Sequence, residues 1–250
     1  MTIFVTVLFF IFVYMNFLFL IAHYKNDVSI VDMGWAGGFM LVALTSLLQG
    51  EHTVRGYIAT FLIFIWGCRL TWHIVSRHKG EDPRYTALKK SWGTYAGIKI
   101  YGYIFMFQGL LILLISYPLL LINSAGCADF SFFDVSLFML WIIGFVFEVA
   151  GDYQLKMFLA NPANKGKVCE YGLWRFTRHP NYFGELCMWF ALNLLALGCS
   201  YGFTSFISII TLIIIFTIFS IPITEAQFAH NPAYQEYKKK TPALIPMPFF

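Results

Sequence analysis

Charge is scarce in this sequence. Of its 250 residues 12% are charged and 59% hydrophobic, with a mean hydropathy of +0.68. Soluble domains carry roughly 25% charged residues, so too little polar side chain is available here to cover a water-facing surface, and lipid must cover much of it. The five cysteines, Cys68, Cys127, Cys169, Cys187 and Cys199, show no paired spacing. That excludes the usual zinc signatures and argues against a disulfide framework, so they are expected to be small buried hydrophobes. The net charge of +4 is spread over short loops and forms no basic face for a nucleic acid. No P-loop, GxGxxG, HExxH or serine–base arrangement occurs. The start, MTIFVTVLFF, has neither a basic leading region nor a small-residue cleavage site. It reads as a retained helix and not as a cleaved signal peptide.

Long apolar runs and aromatics are what the chain has in abundance, with 28 Phe, 14 Tyr and 7 Trp. A bilayer core of roughly 30 Å needs about 20 apolar residues as helix. The runs predict an all-α, polytopic membrane protein of about seven spans in a single domain covering residues 1–250. The spans fall at Thr2–Ala22, Met33–Leu48, Val54–Ile74, Tyr103–Ile122, Phe132–Ala150, Phe183–Leu197 and Tyr201–Ile223. Seven spans sort the loops into two sets. Of the 17 Lys and Arg, 15 fall in one set and Arg55 alone in the other, with Arg69 inside the third span. Because basic loops stay in the cytoplasm, the N-terminus is expected outside and the C-terminus inside. The long inner segments, Ser76–Gly102, Gly151–Tyr182 and the tail from Thr224, hold the charge, aromatics and prolines.

The segment Asp152–Glu185 is the densest in usable chemistry. Lys156, Lys165, Lys167, Arg175 and Arg178 can bind anions, and an arginine suits bidentate phosphate contact. Trp174, Phe176 and Tyr182 can stack on a flat ring. Asn181, between a proline and an apolar run, reads as a cap for the sixth helix, whose N-terminus would favour an anion. The residues point to an anionic, aromatic cofactor such as a nucleotide; a basic loop on anionic lipid headgroups is the plainer alternative. Glu148 and Asp152, and Asn181 and Glu185, share helix faces by their spacing. Acids at that depth are expensive and face a cavity or a partner, or form an ion pair that only locks two helices. Arg69, His73 and Arg77 make a polar stripe at the inner end of the third span, where Asp32 is placed to pair with an arginine.

At GLWRFTRHPNYFGE, residues 172–185, the sequence resembles the C-terminal domain of the steroid 5-alpha-reductase family, most closely its bacterial, DUF1295-type branch. The segments Asp32-x-x-Trp35, GCRLTWHIVSRHKGEDPRY, Tyr234–Tyr237 and Ala243–Pro246 carry the resemblance over most of the chain. It implies a membrane-embedded, NADPH-dependent oxidoreductase that reduces a carbon–carbon double bond in a steroid-like or other unsaturated lipid, with its cofactor-binding core in residues 103–250. It implies residence in a bacterial inner membrane, with the cofactor site facing the cytoplasm. Carried over by motif, Asp152, Lys156, Trp174, Arg178, His179, Asn181, Tyr182, Glu185, Trp189 and Tyr237 resemble cofactor-contacting positions. The eukaryotic members use a Gln-Glu pair and a tyrosine as the donor; that pair is missing here, and Asp32, His73 and Tyr85 are the expected substitutes. The motif Arg178-His179-Pro180-x-Tyr182-x-Gly184 is shared with the isoprenylcysteine carboxyl methyltransferases, which implies S-adenosylmethionine as the alternative cofactor. A non-catalytic lipid-binding membrane protein is the third reading.

Overall fold

The computed structural model describes residues 2–124 and 126–247, and among them the chain is helical with no strands. Helix α1, Thr2–Lys25, shows how the sequence uses lipid as solvent. Its buried positions Val7, Ile11, Met15, Leu18 and Ala22 recur every three or four residues, the spacing of one helix face. The other faces expose Phe4, Val5, Leu8, Phe9, Phe12 and Phe17. A helix apolar all round, with only one stripe packed on protein, has its remaining surface in hydrocarbon. Six helical stretches are long and apolar enough to cross a membrane: Thr2–Lys25, Ile30–Gln49, Val54–Val75, Pro83–Ile115, Phe132–Ala160 and Gly202–Ala226. These make it an integral membrane protein. The expected sixth span is the shorter helix α10, of 17 residues.

The chain folds as two compact units. The first holds residues up to Phe130 together with Ala196–Ser208. Here α2 (Ile30–Met33) and α3 (Trp35–Gln49) pack on α1 and on α4 (Val54–Val75). Glycines let them approach. A Cβ on Gly34 would strike the Leu18 side chain, and one on Gly38 would come within 2.5 Å of Ile112. The Tyr14 hydroxyl donates to the Gly34 carbonyl at 2.7 Å, where the backbone passes from α2 to α3. The second unit holds Ser131–Leu195 and the chain from Ile209 on. Its frame is α9 (Phe132–Ala160) crossing α10 (Pro180–Ala196). A Cβ on Gly144 would lie 2.6 Å from the Gly184 carbonyl oxygen, and one on Gly151 would lie 3.1 Å from the Pro180 ring. Small residues at such crossings replace the hydrophobic drive that lipid cannot supply.

Three expectations are corrected. The segment Ser76–Gly102 is mostly helical: α5 covers Pro83–Trp92, with the Asp82 side chain accepting from the Arg84 amide as its N-cap and Pro83 at the first position. Helix α6 (Ala96–Lys99) and a π-helix (Ile100–Met106) lead from there into α7 (Phe107–Ile115). Likewise α9 runs on to Ala160, so Asp152 and Lys156 stand on a helix one turn apart. Asn181 is the second residue of α10 and not its cap. The cysteine reading also fails at one pair: Cys127 and Cys199 form a disulfide across 72 residues. The turns holding them are brought together by backbone bonds from Ala128 to the Gly198 carbonyl (2.7 Å) and from Ser200 to the Gly126 carbonyl (3.1 Å). Nothing in a spacing of that length shows such a meeting.

Candidate functional site

In the first unit, the inner end of α2 is tied to α5 by side chains 53 residues apart. Val28 donates its amide to Glu81 at 2.8 Å, and the Asp82 amide donates to Ser29 Oγ at 2.8 Å. Lys89 pairs with Glu81 at 2.6 Å, and His78 with Asp27 at 2.8 Å. Partial burial pulls the Glu81 carboxyl up, but Lys89 and the Val28 amide outweigh it and hold it below the usual range. The Arg84 guanidinium does the same for Asp82. On this clamp the Tyr85 hydroxyl, 8% exposed, donates to Asp32 Oδ1 at 2.8 Å. Arg84 reaches the other carboxylate oxygen at 3.5 Å, and the Gln108 side chain also hydrogen-bonds Asp32. Two of the three expected donor residues are thereby joined. The third, His73, pairs with Arg77 one turn on, at 3.1 Å. Gln108 was missed in the sequence; a lone amide inside an apolar run was its only signal.

In the second unit, residues 174–179 are stapled to the tail. Arg178 donates its amide to the Pro242 carbonyl at 2.9 Å, and Thr177 Oγ1 donates to the Ala243 and Leu244 carbonyls. The Tyr237 hydroxyl donates to the Trp174 carbonyl, and the Met247 amide to the Phe176 carbonyl at 3.1 Å. Tail helix α13, Pro232–Lys240, starts on an Asn231 cap and Pro232. The two segments that carry the sequence motif therefore form one piece of structure.

Glu225, at the end of α12 (Ile221–Ala226), is the hub of that piece. It takes Arg178 Nε at 2.7 Å and His179 Nε2 at 3.3 Å on one oxygen, and Lys238 Nζ at 2.7 Å on the other. Arg178, 7% exposed, also donates to the Thr241 and Lys238 carbonyls. Its guanidinium is committed to the protein's own groups, so its role is to position the strap, not to meet an incoming phosphate. The cations left at the surface of this segment are Lys156, Lys165 and Lys167. Burial holds the His179 imidazole below the usual histidine range, against the pull of Glu225. The ring stacks on Tyr182 at 5.1 Å, and Tyr182 on Phe216 at 4.5 Å. Glu225 was not singled out in the sequence, although an acid closing an apolar run is a recognisable signal.

The remaining predicted residues gather where α9 crosses α10. Asn181 Nδ2 donates to Asp152 Oδ1 at 3.2 Å, while the buried Oδ1 of Asn181 has no hydrogen-bond partner. Trp174 Nε1 donates to the Gly151 carbonyl at 3.0 Å. Glu185 lies one turn beyond Asn181 on α10, and Trp189, 1% exposed, one turn further. Lys156 is exposed one turn along α9 from Asp152. This crossing thus presents a carboxylate and a free amide oxygen, both hydrogen-bond acceptors, beside a surface lysine.

No curated protein matches the chain significantly. The model of a family described as protein of unknown function (DUF1295) matches residues 18–241, which include the α2–α5 clamp, the glycine crossing and the Glu225 hub, and the chain belongs to that family.

Proposed function

We propose that the protein is an NADPH-dependent reductase of a carbon–carbon double bond conjugated to a carbonyl in an unsaturated lipid. The observation that carries this reading is the joining of residues 174–181 to the tail at 237–247, with Asp152 and the unpartnered Asn181 oxygen beside it. These residues fit a nucleotide. Acceptors suit ribose hydroxyls and an amide N–H2, and exposed Lys156 suits a phosphate. When bound, NADPH supplies the hydride. The protein's own share is to hold the ring dry and in register and to stabilise the enolate oxygen that develops. Tyr85, held by Asp32 at 2.8 Å, is the proton source we assign to that task. Gln108 and Arg84 fix the carboxylate that orients it.

The same reading sets the protein in a bacterial inner membrane, N-terminus outside, with the cofactor segment in the cytoplasm. Support comes from the 15 basic residues on one set of loops. It comes also from the Cys127–Cys199 disulfide, which lies on the opposite set, because disulfides persist in oxidising compartments.

The test is NADPH oxidation by the purified protein with enone lipids. Tyr85→Phe is expected to lower kcat by roughly 10²–10⁴-fold, the usual share of a positioned proton donor, and to leave NADPH affinity unchanged. Unchanged turnover in Tyr85→Phe would remove the residue from this role.

A further inference from the structure

The stretch Pro83–Ile115 has 33 residues, about 50 Å as helix against a hydrocarbon core of about 30 Å. Its first dozen or so residues therefore extend beyond the core, and the chain marks the break. Gly93 ends α5 at a φ of +54°, a conformation that costs glycine nothing. Around this break the surface is aromatic and basic. Tyr95 is 68% and Tyr103 69% exposed. Lys99 Nζ lies 6.0 Å from the Trp92 ring, and Trp92 lies 6.3 Å from Tyr103. Lys79 and Lys90 are exposed and make no ion pair among the described residues. Exposed aromatics mark the headgroup level of a bilayer, and unpaired lysines beside them match phosphate-bearing lipids. On its opposite face α5 carries buried Tyr85 against Asp32.

We propose that α5 and the turn after it are an interfacial strap that binds the headgroups of anionic phospholipids, through Lys79, Lys90 and Lys99, and that this contact steadies Tyr85 on Asp32. The link to Tyr85 rests on the reductase reading; the lipid contact does not. Anionic lipid neutralises charges that otherwise face one another at the end of α5, and the aromatics fix the depth at which the helix lies. Occupancy of the strap then favours the geometry in which the Tyr85 hydroxyl meets the carboxylate.

The experiment uses the whole protein in nanodiscs of phosphatidylcholine alone or mixed with phosphatidylglycerol, without NADPH. Thermal unfolding and the phosphatidylglycerol retained after exchange into detergent are measured. The expected result is higher stability with phosphatidylglycerol and its selective retention. In Lys90→Gln/Lys99→Gln, retention weakens by about fivefold for each lysine removed. Equal stability in both lipids, or a preference unchanged in the double variant, overturns the proposal. A lipid preference in a protein that never oxidises NADPH would leave the strap standing and sink the reductase reading alone.

Discussion

Glu225→Ala is expected to destabilise the second unit by about 3–5 kcal/mol, the cost of removing one member of a buried ion cluster. Arg178 at 7% exposure would keep only backbone carbonyls of Lys238 and Thr241 around its charge. His179 would lose its Glu225 contact and keep its stack on Tyr182. Lys238→Ala should cost no more than about 1 kcal/mol, because a half-exposed partner is compensated by water; its side chain is 48% exposed. The contrast between the two variants separates a buried hub from a surface ion pair. Thermal unfolding in detergent, with limited proteolysis of the chain beyond Lys240, measures it. The tail should become cleavable in Glu225→Ala and stay protected in Lys238→Ala. Equal, small effects in both would mean that the strap is held by its backbone bonds alone.

Gly184→Val should be at least as damaging, costing about 3 kcal/mol or more, beyond ordinary overpacking because the obstacle is main chain. A Cβ on Gly184 would strike the Gly144 carbonyl oxygen and come within 2.6 Å of the Glu148 amide. Neither atom moves without bending α9. Separating the helices would also stretch the Asp152–Asn181 bond, three residues before Gly184 on α10. Loss of stability and loss of cofactor affinity are therefore expected together. Gly102→Ala, where a Cβ meets nothing within 4 Å, is the matched control and should be close to silent. Comparable melting temperatures for Gly184→Val and Gly102→Ala would refute the crossing described here.

The spans were legible because lipid imposes length and apolarity on consecutive residues, a signal read one segment at a time. Helix α1 shows this best, ending at Lys25 where the run Thr2–Ala22 was expected to end within a turn. Helix α5 was read as part of a loop because its residues are polar, yet the Asp82–Pro83 cap was present in the sequence as a start signal. The extension of α9 was hidden for a different reason. Asp152 and Lys156 look like loop residues when charge is taken as the end of a span, but a helix can leave the membrane and continue in water.

Partners separated along the chain were not legible. Arg178 was expected to meet an anion, and it does, but the anion is Glu225, 47 residues away. Asp32 was expected beside an arginine at the inner end of the third span; Arg84 and Tyr85 of α5 are the partners shown. Cys127 and Cys199 met across 72 residues with no motif to announce them. What the motif did convey is the association of residues 172–185 with the tail, since both segments belong to one resemblance. Their bonding through Thr177, Arg178 and Tyr237 is its physical form.

Nucleotide binding by the α9–α10 crossing and its strap is the claim on which the functional account depends. Energy transfer from protein tryptophans to NADPH, titrated with the purified protein and competed with S-adenosylmethionine, tests it most directly. The account predicts saturable NADPH binding that S-adenosylmethionine does not displace. It also predicts that Asn181→Ala weakens that binding by about 1–3 kcal/mol, the cost of a lost buried polar partner. Saturable binding of S-adenosylmethionine with none of NADPH would contradict it and make the protein a methyltransferase.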